Sequence, residues 1–270
     1  MILKNPDLLF FRNQIIRKYA RAVKAGAGVN LTDWPNANNF INCIKSLGLL
    51  NDCKILMTCQ SGQNAGTGLT AYVIYGKDGI VSGNGTLVNG ATWAAGIQCA
   101  VSGNKYFYFP LTGLAFVHAT HFHIFIKFKM PAIWAQYKVI CAFGKAGEDS
   151  YNGVNSFILR THSTETNLYC YRLNQAASGS WTSVVNGATL RACISFQNGS
   201  LKVRIYGESG EGTLTYSDKT NMTPDKLVLG AGLDAGGGPS YPGDYLISSA
   251  AIINGSLTNV KKDAIMAAMP

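Results

Sequence analysis

Charge is scarce in this chain. Only 14% of its 270 residues are charged, against about 25% in an average protein. Neutral polar groups or partners must therefore cover much of its surface, which points to life inside an assembly. Acids are scarcest, 14 against 23 basic residues. The glutamates are Glu148, Glu165, Glu208 and Glu211. Glu148-Asp149 are adjacent and would point to opposite faces of an extended chain, and Glu208 and Glu211 flank Gly210 at a hairpin tip. No two carboxylates are thus placed to divide acid and nucleophile roles, which argues against glycoside hydrolysis. A nucleophile elbow, a P-loop and a dinucleotide fingerprint are also missing. Gly62 to Gly68 is glycine-rich but lacks the lysine and the following helix. No run of about 18 apolar residues occurs, so no membrane insertion is expected. Leu8 to Phe11 is broken by Arg12, so no signal peptide is expected either. The seven cysteines contain no C-x-x-C pair, and Cys53 and Cys59 have no partners at zinc spacing. Buried free thiols made in a reducing cytosol are the expectation.

The formal charge is +9, and much of the excess sits at one end. Lys4, Arg12, Arg17, Lys18, Arg21 and Lys24 face only Asp7 within residues 1–25. No basic cluster with interleaved aromatics follows, which argues against specific nucleic-acid binding. Residues 6–25 read as an amphipathic helix. Leu8, Phe11, Ile15, Tyr19 and Val23 form its apolar stripe, and Gly26 stops it. A membrane-surface helix has this pattern too, but a packed stripe under a solvated basic face is the plainer account. Ala37, Phe40, Ile41, Ile44 and Leu47 predict a second helix ending at Gly48. Residues 1–65 are therefore expected to be a helical attachment region, and 66–270 a β domain. Helices this short bury little alone, so they should dock on the β domain, on a sister copy or on another protein.

The clearest strand is THFHIFIKFKM. Phe122, Ile124, Ile126, Phe128 and Met130 alternate with His121, His123, Phe125, Lys127 and Lys129. Period-two alternation predicts a strand with one face for a core and one mostly for water. Ser102-Gly103-Asn104 predicts a hairpin turn between two short β runs, and Asn198-Gly199 a type I′ turn. Further strands are predicted at 138–143, 156–160, 168–173, 181–185, 190–196, 201–207, 214–216, 227–229 and 245–253, with a terminal helix from about Thr258.

The order of elements from Gly83 to Met130 is a glycine-rich entry, a Trp, a short strand, a turn, an aromatic strand and a long alternating strand. Together with LVLGAGLDAGGGPSYPGDYLISSAAIINGSLTNVKKDAI, it resembles a laminin-G-like jelly roll of the concanavalin A-like lectin/glucanase group. The preceding FRNQII…FINCIKSLGLLNDCKIL extends the resemblance to virion surface and tail proteins of tailed bacteriophages. It implies a mainly β protein, a two-sheet antiparallel jelly-roll sandwich with a short N-terminal helical region. It also implies a non-enzymatic virion component (tail, fibre or capsid decoration) made in the host cytoplasm. Its partners would be other virion proteins, copies of itself and a host surface glycan. Leu8, Phe11, Arg12, Ile15, Arg17, Lys18 and Tyr19 would form its assembly interface. A carbohydrate-binding module is the alternative, and a glycosidase the third choice. Glucanases of the group carry E-x-D-x-x-E on one strand, and nothing here matches that pattern.

Sugar binding needs an aromatic platform with polar groups beside it. Trp134, Tyr137, Tyr151, Asn152, Trp181 and Tyr241 lie in or near predicted loops and are the candidates. Packing is the commoner role of such residues. Lectins of the group often hold Ca²⁺. Asp234 and Asp244 bracket AGGGPSYPG, but two acids fall short of the 6–8 oxygens that cation takes, so no cofactor is expected beyond this candidate pair. His121 and His123, at i and i+2 with His118 nearby, could share a metal. Two half-exposed polar residues on a sheet explain them as well.

Overall fold

The computed structural model describes residues 34–58, 70–72, 84–93, 96–111, 116, 121–164, 166–173, 175–197, 199–216 and 221–270. Two antiparallel sheets pack face to face, and the expected sandwich of jelly-roll type is the architecture observed. The helix expected over 6–25, with the seven proposed interface residues on it, lies outside the described residues. So do His118, Cys59, Glu165 and Asn198.

The first sheet runs β14 (Glu211–Thr215), β13 (Ser200–Ile205), β12 (Thr189–Gln197), β7 (Phe122–Lys129), β18 (Leu246–Asn254), β5 (Ile97–Gln98), β4 (Thr92–Trp93). β1 (Cys53–Thr58) also pairs with β18. The second runs β11 (Gln175–Ser180), β10 (Asn167–Arg172), β9 (Phe157–Thr161), β8 (Val139–Gly144), β15 (Lys226–Leu229), β6 (Tyr106–Pro110), β3 (Asn84–Val88), β2 (Thr70–Tyr72). A small hairpin joins β16 (Gly232–Leu233) to β17 (Pro239–Ser240).

β7 shows why the layers hold. Ile124 lies between Ile194 and Ile252, and Ile126 between Ala192 and Ala250, so one face presents a continuous apolar row to the core. Phe122 stacks on Phe196 within its own sheet at 4.4 Å between ring centres, and lies 6.4 Å from Phe143 of the other sheet. Phe157 meets Phe143 edge-on at 4.7 Å and Phe196 at 5.5 Å, so the rings bridge both layers. Each fully buried Phe contributes about 1.5–3 kcal/mol.

The other face of β7 differs from expectation. His123 and Phe125 are fully buried, not turned to water. Two helices pack on this face, α1 (Trp34–Ser46) and α2 (Asn259–Ala268); both cover Phe125, and His123 lies near Lys262 of α2. Phe40, Ile41 and Ile44 of α1 and Ile265 and Met266 of α2 pack with Phe125, Cys193, Ala251 and Ile253 of the sheet. Helix α1 ends in a left-handed Gly48 at φ +74°. There the N–H groups of Gly48 and Leu49 reach back to the carbonyls of Lys45 and Ile44, closing the Schellman pattern. Thr258 caps α2 by accepting the Lys261 N–H at 3.3 Å. The Lys261 ammonium donates to the Leu47 carbonyl, which ties the second helix to the end of the first. Thus α1 and β1 are parts of the sandwich although they precede residue 66. Docking on the β domain is the outcome for residues 34–58.

Two local expectations also change. The turn at 101–104 forms, with Gly103 and Asn104 at positive φ and Ala100 bridged to Lys105. Its flanks β5 and β6, however, belong to different sheets, so the turn carries the chain across the sandwich. Residues 181–185 form turns, not a strand, and the strand lies just before them in β11.

His123 is held neutral in its buried position. Its Nε2 lies 3.0 Å from the Gly255 carbonyl, which can only accept, so that nitrogen donates. Nδ1 then accepts from the Ser195 hydroxyl at 2.8 Å. Burial, helped by nearby Lys262, lowers its pKa to about 3. The unfolded chain takes up this proton near pH 6.5, the folded chain only near 3. His123 therefore contributes stability that is complete above pH 6.5 and is lost as pH falls. Denaturant titrations between pH 7 and 4 should show a loss on the order of 2–3 kcal/mol. The His123→Gln variant should show a correspondingly flatter profile.

Candidate functional site

The outer face of the second sheet carries a different set of residues. Along β10, Leu168, Cys170 and Arg172 point into the core, so Tyr169 and Tyr171 point outward. Arg160 of β9 lies between Tyr169 on one side and Val139 of β8 on the other. The register thus puts one arginine and two tyrosines on the same outer patch. Three loops complete it. The 131–138 loop brings Tyr137, the 145–156 loop brings Tyr151, and the segment after β17 brings Tyr241.

Arg160 is the centre. Its guanidinium carbon lies 4.3 Å from the Tyr171 ring centre, 4.8 Å from Tyr137 and 5.2 Å from Tyr151. Nη2 donates to the Tyr171 phenol oxygen at 2.7 Å and Nη1 to that of Tyr151 at 3.3 Å. Each phenol accepts there and keeps its own proton to donate. Burial raises the Tyr151 pKa to about 12, against the opposing pull of Arg160, so this phenol stays neutral. The rings continue outward: Tyr241 meets Tyr151 edge-on at 5.5 Å, and His162 stacks on Tyr169 at 4.0 Å. His162 also meets Tyr137 edge-on at 6.0 Å. Cation–π and ring contacts of this kind contribute about 0.5–1.5 kcal/mol each.

Two of the tyrosines sit in strained backbone. Tyr137 has φ +60° and Tyr241 φ +48°. This left-handed region costs a residue with a side chain roughly 1–2 kcal/mol. These two are also the most open rings of the patch, 37% and 52% exposed. Strain of this kind concentrates where function requires it.

The loop candidates divide. Tyr137, Tyr151 and Tyr241 come together. Trp134 stands beside them, its indole N–H donating to the His162 carbonyl at 3.1 Å, while the ring packs on the core. Asn152 is exposed on the Tyr151 loop, its backbone N–H bonded to the Asp149 carbonyl. Trp181 is corrected: it is 3% exposed, inside the core, with its indole N–H on the Gly210 carbonyl. A Cβ at Gly179 would run into its ring, so the sequence shapes a socket for it. Asp234 and Asp244 do not share a site. The first accepts the Gly238 N–H at the hairpin tip, the second the Val101 N–H on another turn. Asp244 lines a separate groove of about 530 Å³ with Gln98, Lys129 and Ile133. Among the described residues no three metal-ligating side chains converge. His123 is engaged as described, and its ring is closed to a metal shared with His121. Sequence reasoning missed Arg160, His162, Tyr169 and Tyr171. The signal was there: in NLYCYR two of the three alternate positions outside the core are tyrosines.

No family model matches this sequence, and no curated protein matches it. Solved structures match by fold. The Trypanosoma rangeli sialidase aligns with a TM-score of 0.56 at 11% identity, over 97% of this chain and 39% of the sialidase. The botulinum neurotoxin serotype D binding domain aligns at 0.55 and 10% identity, over 82% of this chain and 52% of its own. Botulinum neurotoxin type C, whose cell entry depends on interaction with two ganglioside molecules, aligns at 0.53 and 9% identity, over 84% and 53%. The chain spans about half or less of these three chains. At such identities the likeness is one of fold, and it agrees with the β-sandwich. No described helix is long and apolar enough to cross a membrane.

Two variants separate strain from packing. Tyr241→Gly should leave the fold intact and change its stability by less than about 1 kcal/mol, because relief of the positive φ offsets the lost ring contact with Tyr151 and the greater chain entropy of glycine. Trp181→Ala should cost about 3–5 kcal/mol, as expected for a core indole. Equilibrium unfolding in denaturant reads both.

Proposed function

We propose that the chain is a non-enzymatic glycan-binding module, and that the Arg160–tyrosine patch is where the sugar sits. One observation carries this: two exposed tyrosines are held in left-handed backbone around a guanidinium on a sheet face. A sugar ring offers an apolar face that stacks on aromatic rings, and hydroxyls that pair with phenols and N–H groups. The patch supplies both. The ganglioside dependence of the type C toxin and the crystal complex of the T. rangeli sialidase with sialic acid support the reading by analogy of fold alone.

Binding without catalysis is the better account of the acids. Glu148 accepts from both the side chain and the N–H of Asn155. Glu208 accepts from Thr182 and Ser183, and Glu211 faces Lys202 and Arg204 on the other sheet. Each of these carboxylates serves a local structural contact, and none pairs with a second acid across the tyrosine patch.

The virion of a tailed bacteriophage is proposed as the setting. It rests on the order of sequence elements, and a mass-spectrometric inventory of a purified particle tests it. Since α1 and β1 belong to the sandwich, the attachment role is proposed for the basic residues before them.

A glycan array followed by calorimetric titration tests the module. Saturable binding should weaken at least about fivefold in Tyr241→Ala and in Tyr137→Ala, a loss of roughly 1 kcal/mol per ring contact. Gln98→Ala, in the separate groove on the first sheet, should bind as the parent does. Equal affinity in all three variants would remove the patch from the account.

A further inference from the structure

We infer that Arg160 recognises a carboxylate on the bound sugar, so that the ligand is an acidic glycan, a sialoside or a uronate, and not a neutral one. This rests on the glycan-binding reading above and narrows it.

The inference starts from charge. Arg160 is half-buried, and its guanidinium is enclosed by the Tyr137, Tyr151 and Tyr171 rings. Among the described residues no carboxylate pairs with it. The two nearest acids in sequence on the flanking loop are engaged: Glu148 holds Asn155, and Asp149 accepts the Tyr151 N–H at 2.6 Å. Of its five N–H donors, Nη1 and Nη2 each give one to a phenol, of Tyr151 and Tyr171, and Nε is enclosed with no acceptor among the described residues, which leaves one N–H on each terminal nitrogen for a ligand. A half-buried cation without a described counter-charge gains from a partner that brings negative charge. His162, stacked on Tyr169 at the rim, brings no acid either.

The shape of the donor adds the chemical class. A guanidinium presents parallel N–H groups to two oxygens in one plane, which is the geometry of a carboxylate. The surrounding rings then hold the sugar that carries it. A neutral glycan could use the same rings and phenols but would leave the cation as it stands.

The competing account makes Arg160 a post that only orients the tyrosines. The two differ in selectivity. The full chain would be titrated with 3′-sialyllactose, a glucuronate-ended disaccharide and lactose, in the parent and in Arg160→Gln, Arg160→Lys and Tyr241→Ala, with thermal melts confirming the fold of each. At least one acidic sugar should bind about tenfold or more tighter than lactose at low salt, with the preference shrinking at 0.5 M salt as screening grows. Arg160→Gln should bring the acidic and neutral sugars to within about twofold of each other, and Arg160→Lys should keep part of the preference. Tyr241→Ala should weaken acidic and neutral sugars alike. Equal affinity of the parent for lactose and both acids would overturn the inference and leave the glycan-binding reading standing. A loss by one common factor for all sugars in Arg160→Gln would do the same. Failure of every sugar to bind, with Tyr241→Ala indistinguishable from the parent, would overturn both.

Discussion

Everything in this molecule is arranged around a strand that is buried on both faces from Phe122 to Ile126. β7 is flanked by β12 and β18 along its whole length, so both backbone edges are paired. Its inner side chains meet the second sheet, and on its outer side Phe125 lies under α1 and α2 with buried His123 beside it. Helices occupy the middle of the first sheet's outer face, and the β16–β17 hairpin with its Leu233 closes over Val139, Ala142, Ile158 and Val228 on the second. Arg160 and the outward tyrosines of β10 stand beside that second cover, bordered by loops and not by a helix.

Within the site the cation and the rings depend on each other. The arginine needs the π faces and phenol oxygens because no described acid attends it. The tyrosines need the arginine to fix their hydroxyls. Neither set is explained by stability alone, since Tyr137 and Tyr241 remain in a backbone conformation that glycine would adopt without strain. Other residues share that conformation, among them Asn104, His121, Thr166 and Leu173, but Tyr137 and Tyr241 are the two that bring exposed rings to one patch.

Alternation made most of the strands legible. It finds β7, β12 and β18 because an inward apolar row needs the period of two whichever way the outer face is used. It could not say what covers the outer row, since a histidine and a phenylalanine among lysines look solvated until a helix is laid over them. β11 was hidden for the opposite reason: QAASGS offers no apolar alternation, and it is held by its pairing to β10. The site was half legible. Tyr137, Tyr151 and Tyr241 stand in loops, where a reader looks for function, whereas Arg160, Tyr169 and Tyr171 lie inside strands and are joined only by register. Trp181 misled because it stands at the edge of a predicted loop, where a ring can serve a ligand as well as the core. Its socket is made by Gly179 and by Gly210, the latter from a hairpin 29 positions beyond the tryptophan.

The loops that carry the rings are fastened independently of any ligand. Ser150 and Leu233 exchange two hydrogen bonds, the Ser150 N–H to the Leu233 carbonyl and the Leu233 N–H to the Ser150 hydroxyl, each 2.9 Å. That ties the Tyr151 loop to the β16–β17 hairpin. The carbonyl of Tyr241 accepts the Val139 N–H of β8 at 2.9 Å. Buried Thr161 at the end of β9 donates to the Ala135 carbonyl and accepts the Lys138 N–H, so it clamps the loop on both sides of Tyr137. The Tyr245 phenol adds a bond to the Lys138 carbonyl at 3.0 Å. Each open ring is therefore placed by backbone contacts one or two residues away, and its side chain is left free of that duty. A surface already ordered loses little entropy on binding, which is how a shallow patch of rings can reach useful affinity without a deep cavity.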